Sequence, residues 1–269
     1  AQAAALTQGE HLPIIDADDQ RVIAFGSRRL RDDDPSVPKY LNSPETALFR
    51  KSETLYGLPN LATAAECGEV FVVEGNLDML ALWEAGVRNV VAACGTALTA
   101  EHLHLLAERV RRVTLVLDAD AAGQAATARS LVLDGSELVD LGVLRIEGAK
   151  DPAELLSTGG LSAWESALAS RSGRWEWLWR NLATRHAGDD AEERIERKEA
   201  WVELVVAQAD GDERDRLFAL AEQELGIPGG LLAREHPLDP ATRRSATEEL
   251  LLVALASRFD ERARLLAIR

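Results

Sequence analysis

Between residues 69 and 147 short apolar runs alternate with helical patterns, the arrangement of parallel strands joined by crossover helices. A strand at 70–73 (VFVV) leads to a helix at 77–85 ending at Gly86, and a strand at 89–93 leads through GTALT to a helix at 100–110. A strand at 113–117 leads through DADAAG to a helix at 122–133, and a strand at 142–146 leads to the loop GAKDP. The runs are continuous rather than alternating, which predicts strands covered on both faces. Upstream, residues 10–30 alternate apolar and polar around Asp16–Gln20 and read as a β-hairpin. Residues 31–60 are loop-rich, with Pro35, Pro38, Pro44 and Pro59 as breaks. Beyond Leu155 the pattern is helical and carries Trp164, Trp175, Trp177, Trp179 and Trp201, until Gly226, Pro228, Gly229 and Gly230 end it. After Pro237 and Pro240 the run TEELLLVALASRFDERARLL predicts a further amphipathic helix.

Composition narrows the class. With 269 residues, 46% hydrophobic and 28% charged, the chain reads as a soluble globular protein of one large domain or two modest ones. No apolar run approaches the roughly 20 residues that span a bilayer, and AQAAALTQGE lacks the features of a signal peptide. No membrane association is expected. The two cysteines, Cys67 and Cys94, have neither zinc-like spacing nor a disulfide framework, so a cytoplasmic location is expected. A net charge of −15 argues against tight nonspecific binding to nucleic acid, which depends on neutralising phosphates. It does not exclude an enzyme that meets nucleic acid through divalent cations.

The candidate chemistry lies at the strand ends. Glu74 follows VFVV, Asp118 and Asp120 follow the strand at 113–117, and Asp151 sits in the Lys-Asp-Pro loop after the last strand. Ligands of open α/β sheets bind outside the carboxyl ends of the strands. Each acid has a structural explanation of its own. Glu74 and Asp78 suit the first turn of a helix, Asp118 or Asp120 a helix cap, and Asp151 a turn. Three strand ends delivering acids to one rim call for a cation, and an all-oxygen set favours Mg²⁺ or Mn²⁺. His102 and His104, two apart on a helix, cannot share a face and are not expected to ligate a metal together. Trp175 and Trp179, beside Arg174 and Arg180, fit helix packing better than stacking on bases.

VVEGNLDMLAL, ACGTALTAEHLHLL, LDADAAGQAA and GAKDPAELL, in this order, resemble the Toprim domain. VIAFGSRRL, PKYLNSPET and LFRKSETLYGL upstream resemble the bacterial replicative primase family, and the likeness runs from about Glu10 to Gln223. The resemblance implies an α/β fold, a Toprim parallel-sheet unit flanked by an N-terminal α+β subdomain and a C-terminal helical subdomain. The implied division is 1–66 for the end of the basic N-terminal subdomain, 67–157 for Toprim, 158–236 for the helical subdomain, and 237–269 for a linker and the start of a helicase-binding domain. It implies template-directed synthesis of RNA primers, with two or more Mg²⁺ or Mn²⁺ ions held by Glu74, Asp118 and Asp120 and supported by Asp78 and Asp151. Arg28, Lys39 and Lys51, with Asn42 and Ser43, would meet phosphates of the template or nucleotide. The implied partners are single-stranded DNA, ribonucleoside triphosphates, the replicative helicase and single-strand-binding protein, at the replication fork in the nucleoid.

The chain departs from the family pattern at Asn76-Leu77, where Tyr-Met is common, at Ala121 in place of arginine, and at Ala153 in place of a second acid. It has no cysteine and histidine set for the family's zinc-binding domain, so no zinc is expected and the chain reads as a fragment or a shortened relative. The alternatives are a Toprim nuclease or topoisomerase and a noncatalytic primase-like module. A topoisomerase would need Tyr40 or Tyr56 as its nucleophile.

Overall fold

The computed structural model describes residues 9–29, 40–63, 68–118, 120–133, 138–185, 191–209 and 211–236. The chain divides into two compact units at Ser172/Gly173.

The first unit opens with the expected hairpin, β1 (Gly9–Ile15) and β2 (Val22–Arg29), to which β3 (Tyr40–Asn42) adds antiparallel in the order β1-β2-β3. Its turn is set by Asp16, whose Oδ1 accepts the N–H groups of Asp18 (2.9 Å) and Asp19 (3.1 Å), the usual way an aspartate fixes a tight reversal. Ile14, Ala24 and Phe49 pack with Cys94, in the loop just past an edge strand of the second sheet, so the hairpin is anchored by apolar burial.

That second sheet has the order β5-β4-β6-β7-β8, with β4 (Glu69–Val73), β5 (Val90–Ala92), β6 (Arg112–Val116), β7 (Asp140–Val143) and the two-residue β8 (Ser172–Gly173). β4 pairs parallel with β5 and β6, and β6 with β7. Val70, Val72, Val73, Val113, Leu115 and Val116 are fully buried, as their uninterrupted apolar runs predict. Tyr56 makes a two-way backbone bridge with Ala92, covering the edge at β5. Helices α1 (Asn76–Glu84), α2 (Ala100–Ala107), α3 (Ala121–Ser130) and α4 (Pro152–Ala167) follow β4, β5, β6 and β7. The last strand expected at 142–146 begins two residues earlier, because Asp140 N–H bonds to the Arg111 carbonyl and starts the pairing with β6.

Helix α4 carries the first unit past residue 157. Trp164 is 2% exposed and meets Phe71 of β4 edge-on, with ring centroids 5.1 Å apart. Gly160, at φ 63° and ψ −163°, breaks the helix into two pieces. Glu69 closes the far end, its Oε1 accepting from the Thr114 hydroxyl (2.7 Å) and the Arg171 guanidinium (2.6 Å).

The second unit is helical, with α5 (Arg174–Arg185), α6 (Ala191–Gln208), α7 (Gly211–Leu225) and α8 (Leu231–Glu235). Trp201 is fully buried, donates its Nε1–H to the Leu217 carbonyl (3.0 Å), and takes Trp175 and Trp179 edge-on at 6.0 and 5.0 Å. These tryptophans pack helices together, as the sequence predicts. The amphipathic helix expected after Pro240 lies outside the described residues.

Candidate active site

The strand ends place the acids. β4 stops at Val73, Glu74 emerges exposed, and α1 starts two residues later. Asp78, in the first turn of α1, accepts the Ala153 N–H (3.2 Å). Its other oxygen lies where a Cβ on Gly75 would come within 2.7 Å, so glycine is what lets this carboxylate fold back over the helix end. β6 stops at Val116 and leads to Asp118. A Cβ on Gly123 would fall 2.1 Å from the Asp118 carbonyl oxygen, so the glycine of DADAAG is what lets α3 start directly on the strand end. Asp120 caps α3 by accepting the Gly123 N–H (2.8 Å), and Asp151 caps α4 by accepting the Glu154 N–H (2.8 Å).

Glu74, Asp78, Asp118 and Asp151 line one groove of about 610 Å³, which Arg28 and Asn42 of the hairpin sheet also line. Their crowding is visible in the protonation equilibria. Burial, then the charges of Glu74, Asp78, Asp151 and Asp120, push Asp118 up to about 7. Burial likewise pushes Asp78 up to about 6; the Ala153 N–H pulls it down, and Asp151 and Glu74 push it further up. The acids repel one another, yet among the described residues no three His, Cys, Asp or Glu side chains close on a common point as a ready metal cage. An all-oxygen, mutually repelling set of this kind fits a hard divalent ion. Mg²⁺ in particular keeps several waters and takes one or two carboxylates together with substrate phosphates.

The remaining predicted residues separate. Arg28 reaches the groove, and its buried Nε has no partner among the described residues. Asn42 lines the groove and donates its Nδ2–H to the Cys94 carbonyl (2.5 Å), tying β3 to the loop after β5. Ser43 is not in the lining; its hydroxyl accepts the Phe25 N–H (3.0 Å) and donates to the Phe25 carbonyl (3.1 Å). Asp120 is exposed and also outside the lining, as is Lys51, in a 3-10 turn at Lys51–Glu53. Lys39 lies outside the described residues.

The groove adds residues that sequence reasoning missed as site members. Lys150 lines it from the loop after β7 and Glu154 from the first turn of α4, and Asn76 lines it with a buried Oδ1 that has no partner among the described residues. Lys150 and Glu154 flank Asp151 in the GAKDPAELL segment, and that adjacency was the available signal. Gly26 makes room here: a Cβ on it would come within 2.8 Å of Asn76 Nδ2 and 3.1 Å of Asn42 Oδ1.

Comparison with known proteins supplies the family. Residues 71–156 match a Toprim-like family model, and residues 11–62 match the model of the N-terminal domain of the DNA primase catalytic core. A DNA primase of Clostridium acetobutylicum is 43% identical over 144 residues, 53% of this chain and 24% of that protein. A DNA primase of Mycobacterium leprae is 34% identical over 239 residues, 84% of this chain and 37% of that protein. The chain therefore spans well under half the length of these curated relatives. Among solved structures, a DNA primase domain from Pseudomonas aeruginosa aligns with a TM-score of 0.72 and 30% identity, covering 85% of this chain and 72% of that one. A primase catalytic domain bound to single-stranded DNA aligns with a TM-score of 0.70 and 30% identity, covering 82% and 69%. The parallel sheet with its acidic strand ends, the hairpin sheet beside it and these likenesses together show that the chain belongs to the bacterial DNA primase family, within the Toprim-containing catalytic core.

Proposed function

We propose that the chain carries the nucleotidyl-transfer centre of a primase, joining ribonucleotides into short RNA primers on a single-stranded DNA template. The observation that carries this reading is the crowding of Glu74, Asp78, Asp118 and Asp151 around one groove whose opposite wall brings Arg28. The solved relative bound to single-stranded DNA supports a DNA template as partner. Family membership implies divalent-metal use, and the finer proposal is two or more Mg²⁺ or Mn²⁺ ions. When bound, they would lower the pKa of the primer 3′-hydroxyl and stabilise the leaving pyrophosphate.

The chain's own residues have distinct tasks in this reading. Glu74 and Asp118, from adjacent strands, would hold the divalent cations that meet the reacting phosphates, with Asp78 and Asp151 in support. Glu74 is exposed and also suits general-base work. Asp120 would join as a ligand with the oxygen left over from capping α3. Arg28, Lys51 and Lys39 take backbone or triphosphate oxygens, which position nucleic acid without reading its sequence. Asn42 holds the groove wall through Cys94, and Ser43 keeps β2 against the segment that follows β3.

The finer division at 66/67, 157/158 and 236/237, the helicase and single-strand-binding protein as partners, and the replication fork as location belong to the same proposal. Among the described residues no helix is long and apolar enough to cross a membrane. Tyr56 lies in the backbone bridge to β5 and outside the groove lining, which gives a topoisomerase nucleophile no support. The test is a primer-synthesis assay on single-stranded DNA with all four ribonucleotides and Mg²⁺ or Mn²⁺. Template-dependent RNA oligomers that vanish in Glu74→Gln are expected. DNA cleavage instead would favour a nuclease, and binding with no turnover a noncatalytic module.

A further inference from the structure

Helix α2 begins with a capping box of unusual composition. The Thr99 hydroxyl accepts the His102 N–H (3.2 Å), and His102 Nδ1 accepts the Thr99 N–H (3.3 Å). Because Nδ1 is an acceptor, the proton of the neutral ring sits on Nε2. His102 is fully buried, and burial lowers its pKa and keeps it neutral. Among the described residues its Nε2–H has no hydrogen-bond partner. The Ser52 carbonyl accepts the Thr99 hydroxyl proton at 2.6 Å, so a carbonyl of the Lys51–Glu53 turn faces the first turn of α2, where the helix dipole is positive. From the other side, Glu45 Oε1 accepts the Lys51 N–H (3.0 Å).

The Lys51–Glu53 turn is therefore held from both sides, by Glu45 at the Lys51 N–H and by Thr99 at the Ser52 carbonyl. We infer that Thr99 and His102 are positioning residues that clamp the Lys51–Glu53 turn and so fix the backbone from which Lys51 meets a phosphate. The inference rests on the reading of Lys51 as a phosphate contact. It also gives a role to a histidine that sequence analysis sets aside as a metal ligand.

Thr99→Asp separates clamping from capping. Aspartate is as good a helix cap as threonine but has no proton for the Ser52 carbonyl, whereas Thr99→Ser keeps both functions. Binding of a labelled single-stranded oligonucleotide across a salt series reads contact with template phosphate. The KM for ATP in primer synthesis reads contact with nucleotide phosphate. Lys51→Ala should lower the salt slope by about one if the phosphate is the template's, or raise the ATP KM with kcat unchanged if it is the nucleotide's. Thr99→Asp should move the same readout in the same direction, Thr99→Ser should match the parent, and Lys51→Ala/Thr99→Asp should go no further than Lys51→Ala. Should Thr99→Asp fail to fold, His102→Leu, which fills the buried space without either ring nitrogen, gives the same reading. The clamp is overturned if Thr99→Asp lowers the melting temperature but leaves slope and KM alone, or if the two substitutions add. If Lys51→Ala moves neither readout, the inference falls with the assignment of Lys51, whereas primer synthesis by the parent chain is judged by its own assay.

Discussion

Glu222 in the helical unit and Asp118 in the sheet unit are both carboxylates withdrawn from water, and their surroundings are opposite. Glu222 is 4% exposed and gives one oxygen to the Gly230 N–H and the other to the Leu232 N–H, each at 2.7 Å. Buried charges are tolerated on such terms, and this one fastens the loop before α8. Among the described residues Asp118 has no such donors; what surrounds it is burial and four other carboxylates, and it is held up to about 7. A fold does not gain stability from an acid placed that way. The contrast separates a structural carboxylate, complete in the protein alone, from one that is completed by a ligand.

The comparison yields four expectations. Glu74→Gln should reduce primer synthesis by more than about a hundredfold, through loss of charge stabilisation where the metal acts, while its melting curve stays that of the parent. Retained turnover under saturating Mn²⁺ would remove Glu74 from the site. Glu222→Ala should do the reverse. It strands the buried Leu232 N–H at about 1–3 kcal/mol and frees the part-buried Gly230 N–H, so the urea midpoint should drop clearly; an unchanged midpoint would end the claim that this acid is structural.

Mn²⁺ at a hundred times its dissociation constant should raise stability by about 2.7 kcal/mol, with no such rise in Asp78→Asn/Asp118→Asn. pH sharpens this test. Asp118 and Asp78 are raised in the folded chain to about 7 and about 6 from the ordinary aspartate value of 3.8. Their stabilising contribution is full below about pH 4 and is lost as the pH climbs through the folded values, because the unfolded chain releases these protons first. The metal-free chain should lose stability across that window. Asp118→Asn should flatten the profile, and Mn²⁺ should bind best at its upper end, where the ligands are deprotonated. A flat parental profile would contradict the crowding of the acids.

The smallest effect concerns Asp120. Asp120→Asn keeps the helix cap and Asp120→Ala loses it, at about 1 kcal/mol. Equal stability of the two would deny the cap; activity lost in Asp120→Asn, with stability intact, would identify Asp120 as a ligand as well.

The sheet unit was largely legible in the chain, because continuous β-branched runs and glycine breaks are local signals that tertiary packing reinforces. The same logic brings Glu74 and Asp118 to one groove, since a strand's carboxyl end has a known place in an open sheet. What escaped was nonlocal or ambiguous. Asp120 precedes a helix, and the residue types that cap helices are also metal ligands, so only the bond to Gly123 shows which task it performs in the protein alone. Trp164 of α4 meets Phe71 of β4, a pairing with no periodic trace. Glu222 looked like one acid among many on α7, and nothing in its neighbours announced the Gly230 and Leu232 amides. The bonds of Ser43 to Phe25 on β2 are likewise nonlocal and leave no trace in the motif.

The pairing of β4 with β6 has a consequence for how the site can change. Val73 lies opposite Val116, so Glu74 and Asp118 issue from neighbouring strands whose separation, about 4.8 Å, is dictated by backbone hydrogen bonding. That distance is a gauge no side chain can retune. The excursion from α1 through β5 to α2 can lengthen or shorten without altering it. A slip of β6 by a single residue, however, would carry Asp118 about 3.3 Å along the strand and turn Val113 and Leu115 to the opposite face. Spacing at the groove and burial of the sheet are thus inherited as one character, so insertions should accumulate in the crossovers while the two strands keep their register.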